Sequence, residues 1–266
     1  MRPHCATPLG RHISVQNSPS QIWSGYGMAA QNKLNQGWHP TAVDVDYTGS
    51  NNDYTHLMMC LVKKEGVFNI PAKVVYDKTW EWIADYANDI GYTVVDHDEY
   101  LKNGEKRYAA ILHDLNPFVH WFAFTECTTP SLENRVDWYG GYVIDLDIEE
   151  NGADTLFGTI HFSDDYSGVR WDSSIAWADI SPYFHSANKR ILDLSRRTDG
   201  QYCALFCNES ASDVGKWSYF GNASWAWLQN AQDAGWRVQK CNRLRIGDTT
   251  TYSGVLVGKW GAPYSN

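Results

Sequence analysis

The chain has 266 residues, 43% hydrophobic and 20% charged, enough apolar material for a core and too much for wholesale disorder. Its net charge of −9, with no long Lys/Arg run, argues against binding a nucleic-acid backbone as the main task. No apolar stretch approaches the roughly 18 residues needed to cross a bilayer.

The first residues, Met1-Arg2-Pro3-His4-Cys5, carry charge without an apolar run behind them, so no signal peptide is visible. Arg11–Gln16 reads as a short extended segment. Ser18-Pro19-Ser20-Gln21 then reads as a capping box opening a helix that stops at Gly37-Trp38. A second extended segment, Phe68–Val75, precedes a helix from Trp80 to Ile90 that Gly91 ends. Strands Tyr92–Asp98 and Arg107–Leu115 follow around Asn103-Gly104, a strong hairpin signal. The same order returns with His120-Trp121-Phe122, a short helix after Thr129-Pro130, and Gly141-Tyr142. It returns again with Arg170-Trp171 and a helix in which Pro182 is an interruption, followed by Lys189-Arg190 in place of the Gly-aromatic pair. The last copy has Lys216-Trp217, the helix Trp225 to Ala234, Gly235, the strand Trp236–Lys240, the turn Gly247-Asp248 and the strand Tyr252–Val257.

The aromatics that open the returning strands, Tyr54, Tyr108, Phe157, Tyr202 and Tyr252, recur about every fifty residues, a period that marks a repeat architecture. The expectation is therefore an α+β fold of five tandem strand–helix–strand–strand repeats. The units cover approximately residues 11–66, 67–118, 119–168, 169–214 and 215–260, and 1–266 reads as a single repeat domain. The chain starts with one unit's first strand and ends with another's hairpin, so nothing is missing in cyclic order. Closure into a ring or propeller-like, barrel-like array would remove exposed sheet edges, and an open, curved array is the alternative.

Gly91-Tyr92-Thr93-Val94-Val95-Asp96, continued by Arg107-Tyr108-Ala109-Ala110-Ile111, resembles the bacterial tandem repeat domain, which also builds the non-catalytic N-terminal domain of fungal polyglycine hydrolases. Gly235-Trp236-Arg237-Val238 and Tyr252-Ser253-Gly254-Val255 are similar to the same pattern. The resemblance spans nearly the whole chain but is specific only in the second and fifth units. It implies a Trp-rich α+β repeat fold, often attached to secreted hydrolases. The hydrolases' β-lactamase-like catalytic domain is absent, so their protease activity does not carry over. Ser186-Ala187-Asn188-Lys189 spells a Ser-x-x-Lys, but without partner motifs it is read as coincidence.

Thirteen tryptophans and sixteen tyrosines supply the next signal. Trp121, Trp171 and Trp217 occupy one place in three units, with Phe68 and His12 or Ile13 near it in the others. Around a shared axis they would line an aromatic centre able to hold a glycan, a peptide or a small hydrophobic ligand. Trp23, Trp80, Trp82, Trp138, Trp177, Trp225 and Trp227 fall on helices and read as packing residues. Acidic pairs Asp44/Asp46, Asp96/Asp98 and Asp145/Asp147 lie two apart, on one strand face each, thinning to Asp193/Ser195 and Lys240/Asn242. If carboxylate chemistry exists, Asp96, Asp98, Asp145 and Asp147 carry it; recurrence favours a structural role.

His113, His120 and His161 are the acid–base candidates, because His titrates near neutrality and because His113 breaks the repeat where other units have Met59, Phe162, Cys207 and Val257. No spacing supports zinc or another metal, and no nucleotide or other cofactor is implied. Six cysteines leave the compartment open. Cys203 and Cys207 cannot pair, since four residues of strand span about 13 Å and a disulfide bridges at most about 7 Å between Cα atoms. Two sequons, at Asn208 and Asn222, point to secretion, with a cytoplasmic location as the alternative. Two functions remain open. One is a non-catalytic domain recognising glycan or polypeptide. The other is a cofactor-independent enzyme acting on an aromatic or hydrophobic small molecule, with a histidine as acid–base.

Overall fold

The computed structural model describes residues 20–46, 55–63, 70–115, 121–139, 141–150, 154–161, 168–186, 189–208, 217–246 and 248–257. The protein is mixed α+β and rich in strand, and its elements fall into five successive segments. The first has β1 (Ser20–Tyr26), α1 (Gly27–Asn35), β2 (Trp38–Asp46) and β3 (His56–Lys63). The second has β4 (Ala72–Lys78), α2 (Trp80–Asp89), β5 (Thr93–Lys102) and β6 (Glu105–His113). The third has β7 (Trp121–Cys127), α3 (Thr129–Tyr139), β8 (Tyr142–Glu150) and β9 (Asp154–His161). The fourth has β10 (Arg170–Ile175), α4 (Trp177–Ser186), β11 (Lys189–Arg196) and β12 (Tyr202–Asn208). The fifth has β13 (Trp217–Ala223), α5 (Trp225–Asp233), β14 (Arg237–Ile246) and β15 (Thr249–Val257). Each segment folds its three strands into one antiparallel sheet, with the last strand in the middle, as in β4-β6-β5. None of these sheets closes into a barrel.

Local chemistry explains why α2 and α5 form where the sequence places them. Thr79 and Ser224 cap α2 and α5: each hydroxyl accepts the backbone N–H three residues on, from Trp82 at 3.3 Å and Trp227 at 3.2 Å. Gly91 and Gly235 end them at φ +68° and +93°, where a side chain would meet its own backbone. Two expectations are corrected. Ser20–Tyr26 is a strand, paired residue for residue with β3, and the helix begins only at Gly27. The sheet's cross-strand pairing overrides a capping-box pattern that has no helical face behind it. Arg11–Gln16 lies outside the described residues. Pro182 does not interrupt α4, which runs through it to Ser186.

In each sheet the strand after the helix carries a one-residue bulge: between Pro40 and Ala42, Val94 and Asp96, Val143 and Asp145, Ile191 and Asp193, and Val238 and Lys240. The bulges fix the equivalence of the segments. Ala42, Asp96, Asp145, Asp193 and Lys240 are one set, and Asp44 matches Asp98 rather than Asp96. In the same register the residue paired across the sheet at His113 corresponds to Val62, His161, Cys207 and Val257. Met59 and Phe162 are therefore not the equivalents that spacing predicts.

β2 packs against β5, β5 against β8, β8 against β11, β11 against β14, and β14 against β2. Apolar clusters fill the boundaries. Leu57 and Met59 meet Val95 and Ile111 in one. Val94 and Leu112 form another, with Trp121 against it. Ile191 and Phe206 meet Trp217 and Val255 in a third. Ile22, Met58 and Cys60 of the first segment meet Leu228, Val238 and Cys241 of the fifth. Among the described residues no helix is long and apolar enough to cross a membrane.

Candidate functional site

What the five bulged strands bring together is charge. Ala42, Asp96, Asp145, Asp193 and Lys240, the residues just after the bulges, are all at most 5% exposed. The Lys240 ammonium donates to Asp96 and, at 2.8 Å, to Asp145, and lies 3.9 Å from Asp193. These partners come from the second, third and fourth segments, so one side chain of the fifth reaches three others. Burial, opposed by the nearby Cys60 thiol, draws the Lys240 ammonium down to about 7. The three carboxylates in contact or near contact favour its charged form against that desolvation.

The carboxylates also stitch strand to strand. Asp96 accepts Val43 N–H at 2.5 Å, Asp98 accepts Val45 N–H at 2.7 Å, and Asp145 accepts His97 N–H at 3.1 Å. Leu146 N–H reaches Asp193 at 3.5 Å, and the His97 ring nitrogen Nδ1 sits 3.2 Å from Asp145. At Val43, His97 and Leu146 the donor is the residue following Ala42, Asp96 and Asp145, and the acceptor is a carboxylate of the next segment; Val45 repeats the bond two residues on. Asp193 further accepts Asn242 Nδ2 at 2.8 Å, which joins the fourth segment to the fifth. The fifth is joined to the first by Arg243 N–H donating to Asp44 at 2.6 Å and by the Thr41 hydroxyl donating to the Gln239 carbonyl at 3.4 Å. Such bonds to ionised acceptors are the strong ones, and they leave the aspartates little capacity for anything else.

The remaining site candidates disperse. Trp121 packs edge-on to Trp80 at 6.2 Å, beside the cluster of Val94 and Leu112. Trp171 packs on the large cluster around Leu57 and Ile144, and Trp217 sits in the cluster of Ile191 and Val255. The three tryptophans thus seal three different boundaries, because each lies on a sheet face, while the positions that converge are those beside the bulges. Phe68 and His120 lie outside the described residues. His161 pairs with Trp121 and Tyr142 in its sheet, and Asp147 with Phe157; nothing further is described of these two side chains. His113 is 1% exposed, its Nε2 donates to the Pro40 carbonyl at 3.0 Å, and its ring lies 4.3 Å from that of His39.

Thiols are buried as well. Cys60, Cys127, Cys203, Cys207 and Cys241 are free and buried. Burial pushes Cys60 up to about 12, with Lys240 opposing and Asp44 and Asp193 adding to the rise. Cys241 is also pushed well above its usual value, first by burial. A cleft of about 320 Å³ lies beside the β5–β6 hairpin. It is lined by Asp77, Lys102, Asn103, Glu105 and Arg107, and Lys102–Asp77 and Arg107–Glu105 are already ion pairs.

The helices present the opposite picture. Trp138 on α3 is 85% exposed, and Trp82 on α2, Trp177 on α4 and Trp227 on α5 are 41–45% exposed. Trp138 does not pack as expected; Trp82, Trp177 and Trp227 pack on one side and are exposed on the other, and the packing reading holds for Trp80, Trp225 and Trp23. Three of the exposed indoles are braced from behind. Trp82 stacks on Tyr86 at 4.8 Å, Trp177 tilts against Tyr202 at 5.1 Å, and Trp227 against Phe220 at 5.4 Å. Sequence reasoning missed them because helical spacing distinguishes faces only when the tertiary neighbours are known. Lys240 was visible only as the place where the acidic series ends. A lone cation at a position otherwise occupied by carboxylates is the signal that would have found it. No family model matches the chain, and no curated protein matches it in sequence.

Proposed function

We propose that this protein is a non-catalytic recognition domain, a ring of five tandem repeats that binds glycan through aromatic side chains carried on its helices. The observation that carries the reading is a division of labour. The described carboxylates and the described histidine that could do chemistry are buried and committed to holding strands together, while one large indole per helix stands exposed on four of the five helices. Exposed tryptophans are costly to leave in water, and tryptophan dominates the energy of recognition surfaces. Flat rings braced by a second ring lose little freedom on binding. Of glycan and polypeptide, glycan is favoured. The exposed apolar groups are mostly single planar rings on separate helices rather than one aliphatic patch, and a sugar ring offers a flat apolar face to each.

Ring closure is supported by the Arg243 N–H donating to Asp44, which repeats the Val45–Asp98 bond between the first and second segments, and by the Thr41 hydroxyl donating to the Gln239 carbonyl. The resemblance to the bacterial tandem repeat domain supports the same architecture and an extracellular setting, and both sequon asparagines, Asn208 and Asn222, are exposed. The enzymatic alternative has less support, since His113 is packed against His39 and bonded to backbone.

Retention of the full chain on insoluble cellulose, chitin and β-glucan tests the proposal, with immobilised casein as the polypeptide arm. The quadruple variant W82A/W138A/W177A/W227A should keep its far-UV circular dichroism and lose on the order of 100-fold or more in apparent affinity, as loss of linked weak sites requires. A variant that binds like the original, or an original held by none of these polymers, overturns the reading. Retention on casein alone transfers the role to polypeptide.

A further inference from the structure

The cleft of about 320 Å³ beside the β5–β6 hairpin is lined only by polar side chains: Asp77, Lys102, Asn103, Glu105 and Arg107. Bulge and register identify Asn222, Ile246, Thr249 and Thr251 as the fifth-segment equivalents of Asp77, Lys102, Glu105 and Arg107. The fold therefore builds the same hairpin without those charges, and the second segment departs from the repeat here. Asp77 and Asn222 even share the left-handed conformation, at φ +61° and +55°. On one wall of the cleft the Asp77 N–H donates to the Tyr100 hydroxyl at 3.0 Å. That hydroxyl donates back to Asp77 Oδ1 at 3.4 Å, and Lys102 donates to Oδ2. Tyr100 is buried, so the wall is anchored in the sheet. On the other wall Arg107 donates to Glu105. Lys78, next to Asp77 on β4, holds its ammonium 4.8 Å from the centre of the Trp82 ring, one of the exposed indoles.

We propose that this cleft is a subsite for one neutral sugar unit, whose adjacent hydroxyls bond to Asp77, Glu105 and Arg107; the proposal rests on the glycan reading above. Two cations and two anions, paired with each other, leave the cleft without net charge, which disfavours a charged ligand. A lining without an apolar side chain disfavours a hydrophobic one. Neighbouring hydroxyls are both donors and acceptors, so they bridge a carboxylate and a guanidinium without separating the ion pair. Arg107 spends one N–H on Glu105, and a guanidinium has five; a carboxylate likewise accepts more bonds than one. The pairs hold these groups in place before the ligand arrives, which lowers the cost of ordering them. Through Lys78 the cleft and the Trp82 ring come within reach of one short oligosaccharide. The indole then supplies a flat apolar contact and the cleft selects by hydroxyl pattern.

Calorimetric titration of the full chain tests it, with cellohexaose, laminarihexaose and chitohexaose as neutral probes and hexagalacturonate as the anionic control. At least one neutral hexasaccharide should bind, and the anionic one should bind more weakly. The variant D77N/E105T/R107T gives the second segment the residues that the fifth carries at those places. It should keep its Tm and lose on the order of 10-fold or more in affinity, the effect of removing one or two hydrogen bonds to charged groups. A variant that binds as well as the original overturns the subsite and leaves the exposed indoles as the glycan surface. An original chain retained on polysaccharide that binds none of the neutral hexasaccharides does the same. Failure of both retention and titration ends the glycan reading and the subsite together. Equal or tighter binding of hexagalacturonate overturns the choice of a neutral sugar. If the triple variant folds poorly, NMR of the original decides: the Arg107 Nε–H and Asn103 side-chain amide signals must shift saturably with the bound hexasaccharide, and signals that stay in place overturn the proposal.

Discussion

At the scale of single residues, titratable side chains here serve as joints. His113 shows this well. It has the chemistry of an acid–base catalyst, yet its ring is sealed against His39 and its Nε2–H is spent on the Pro40 carbonyl. H113A should therefore cost about 1–3 kcal/mol in denaturant unfolding, the price of an unsatisfied buried carbonyl, and leave ligand binding per folded molecule unchanged. Cys60 and Cys241 behave alike. With Cys60 pushed up to about 12 by burial, its thiolate is negligible at pH 8, and a disulfide reagent such as DTNB should label neither thiol until the protein unfolds. The sign of the pH effect follows. The unfolded thiol loses its proton near 9 and the folded one near 12, so the folded state binds more protons in that window. The Cys60 contribution to stability is whole below 9 and is lost as pH rises toward 12. Native labelling at pH 8 at the rate of a free thiol would contradict the burial.

At the scale of elements, the bulge does most of the placing. It lets the carboxylate after it turn toward the next segment, and it demands close approach from the middle strand. A methyl group on Gly158 would overlap the Asp145 carbonyl, and one on Gly254 the Lys240 carbonyl. G158A and G254A should each lower stability by about 1–3 kcal/mol or more, since the overlap is with backbone and cannot be relieved by a rotamer change. The caps are smaller terms: T79A and S224A should each cost about 1 kcal/mol. What was legible in the sequence divides along the same line. α2 and α5 could be read because cap, helix and terminal glycine are all local. The hairpin at Asn103-Gly104 is also where it was expected, with both residues at positive φ. β1 carries a helix-start pattern in the sequence yet is a strand, because it pairs with β3, from Ser20–Val62 to Tyr26–His56, far along the chain. The acidic series was seen, but its alignment slipped by one pair, because a bulge changes register without leaving a composition signature. Convergence of Asp96, Asp145 and Asp193 on Lys240 was not legible, since it depends on contacts spanning up to 144 residues of sequence.

At the scale of the whole molecule, the account joins a charged interior to an aromatic exterior. The bulged strands of the five successive segments pack against one another, and apolar clusters fill the boundaries between segments. Lys240 then ties the fifth segment to three others through a buried ion cluster. Breaking such a cluster by removing one partner is far more damaging than its net contribution suggests, because the charges left behind remain buried and uncompensated. The central claim is that this cluster is structural and that recognition lies on the helices. The most direct test is K240M, with unfolding free energy and polysaccharide binding measured on the same preparation. The account predicts a loss of about 3–5 kcal/mol in stability, partly recovered on acidification as the orphaned carboxylates take up protons, with glycan affinity per folded molecule unchanged. A K240M protein as stable as the original but unable to bind its ligand would contradict it, and would move the site from the exposed tryptophans to the buried lysine.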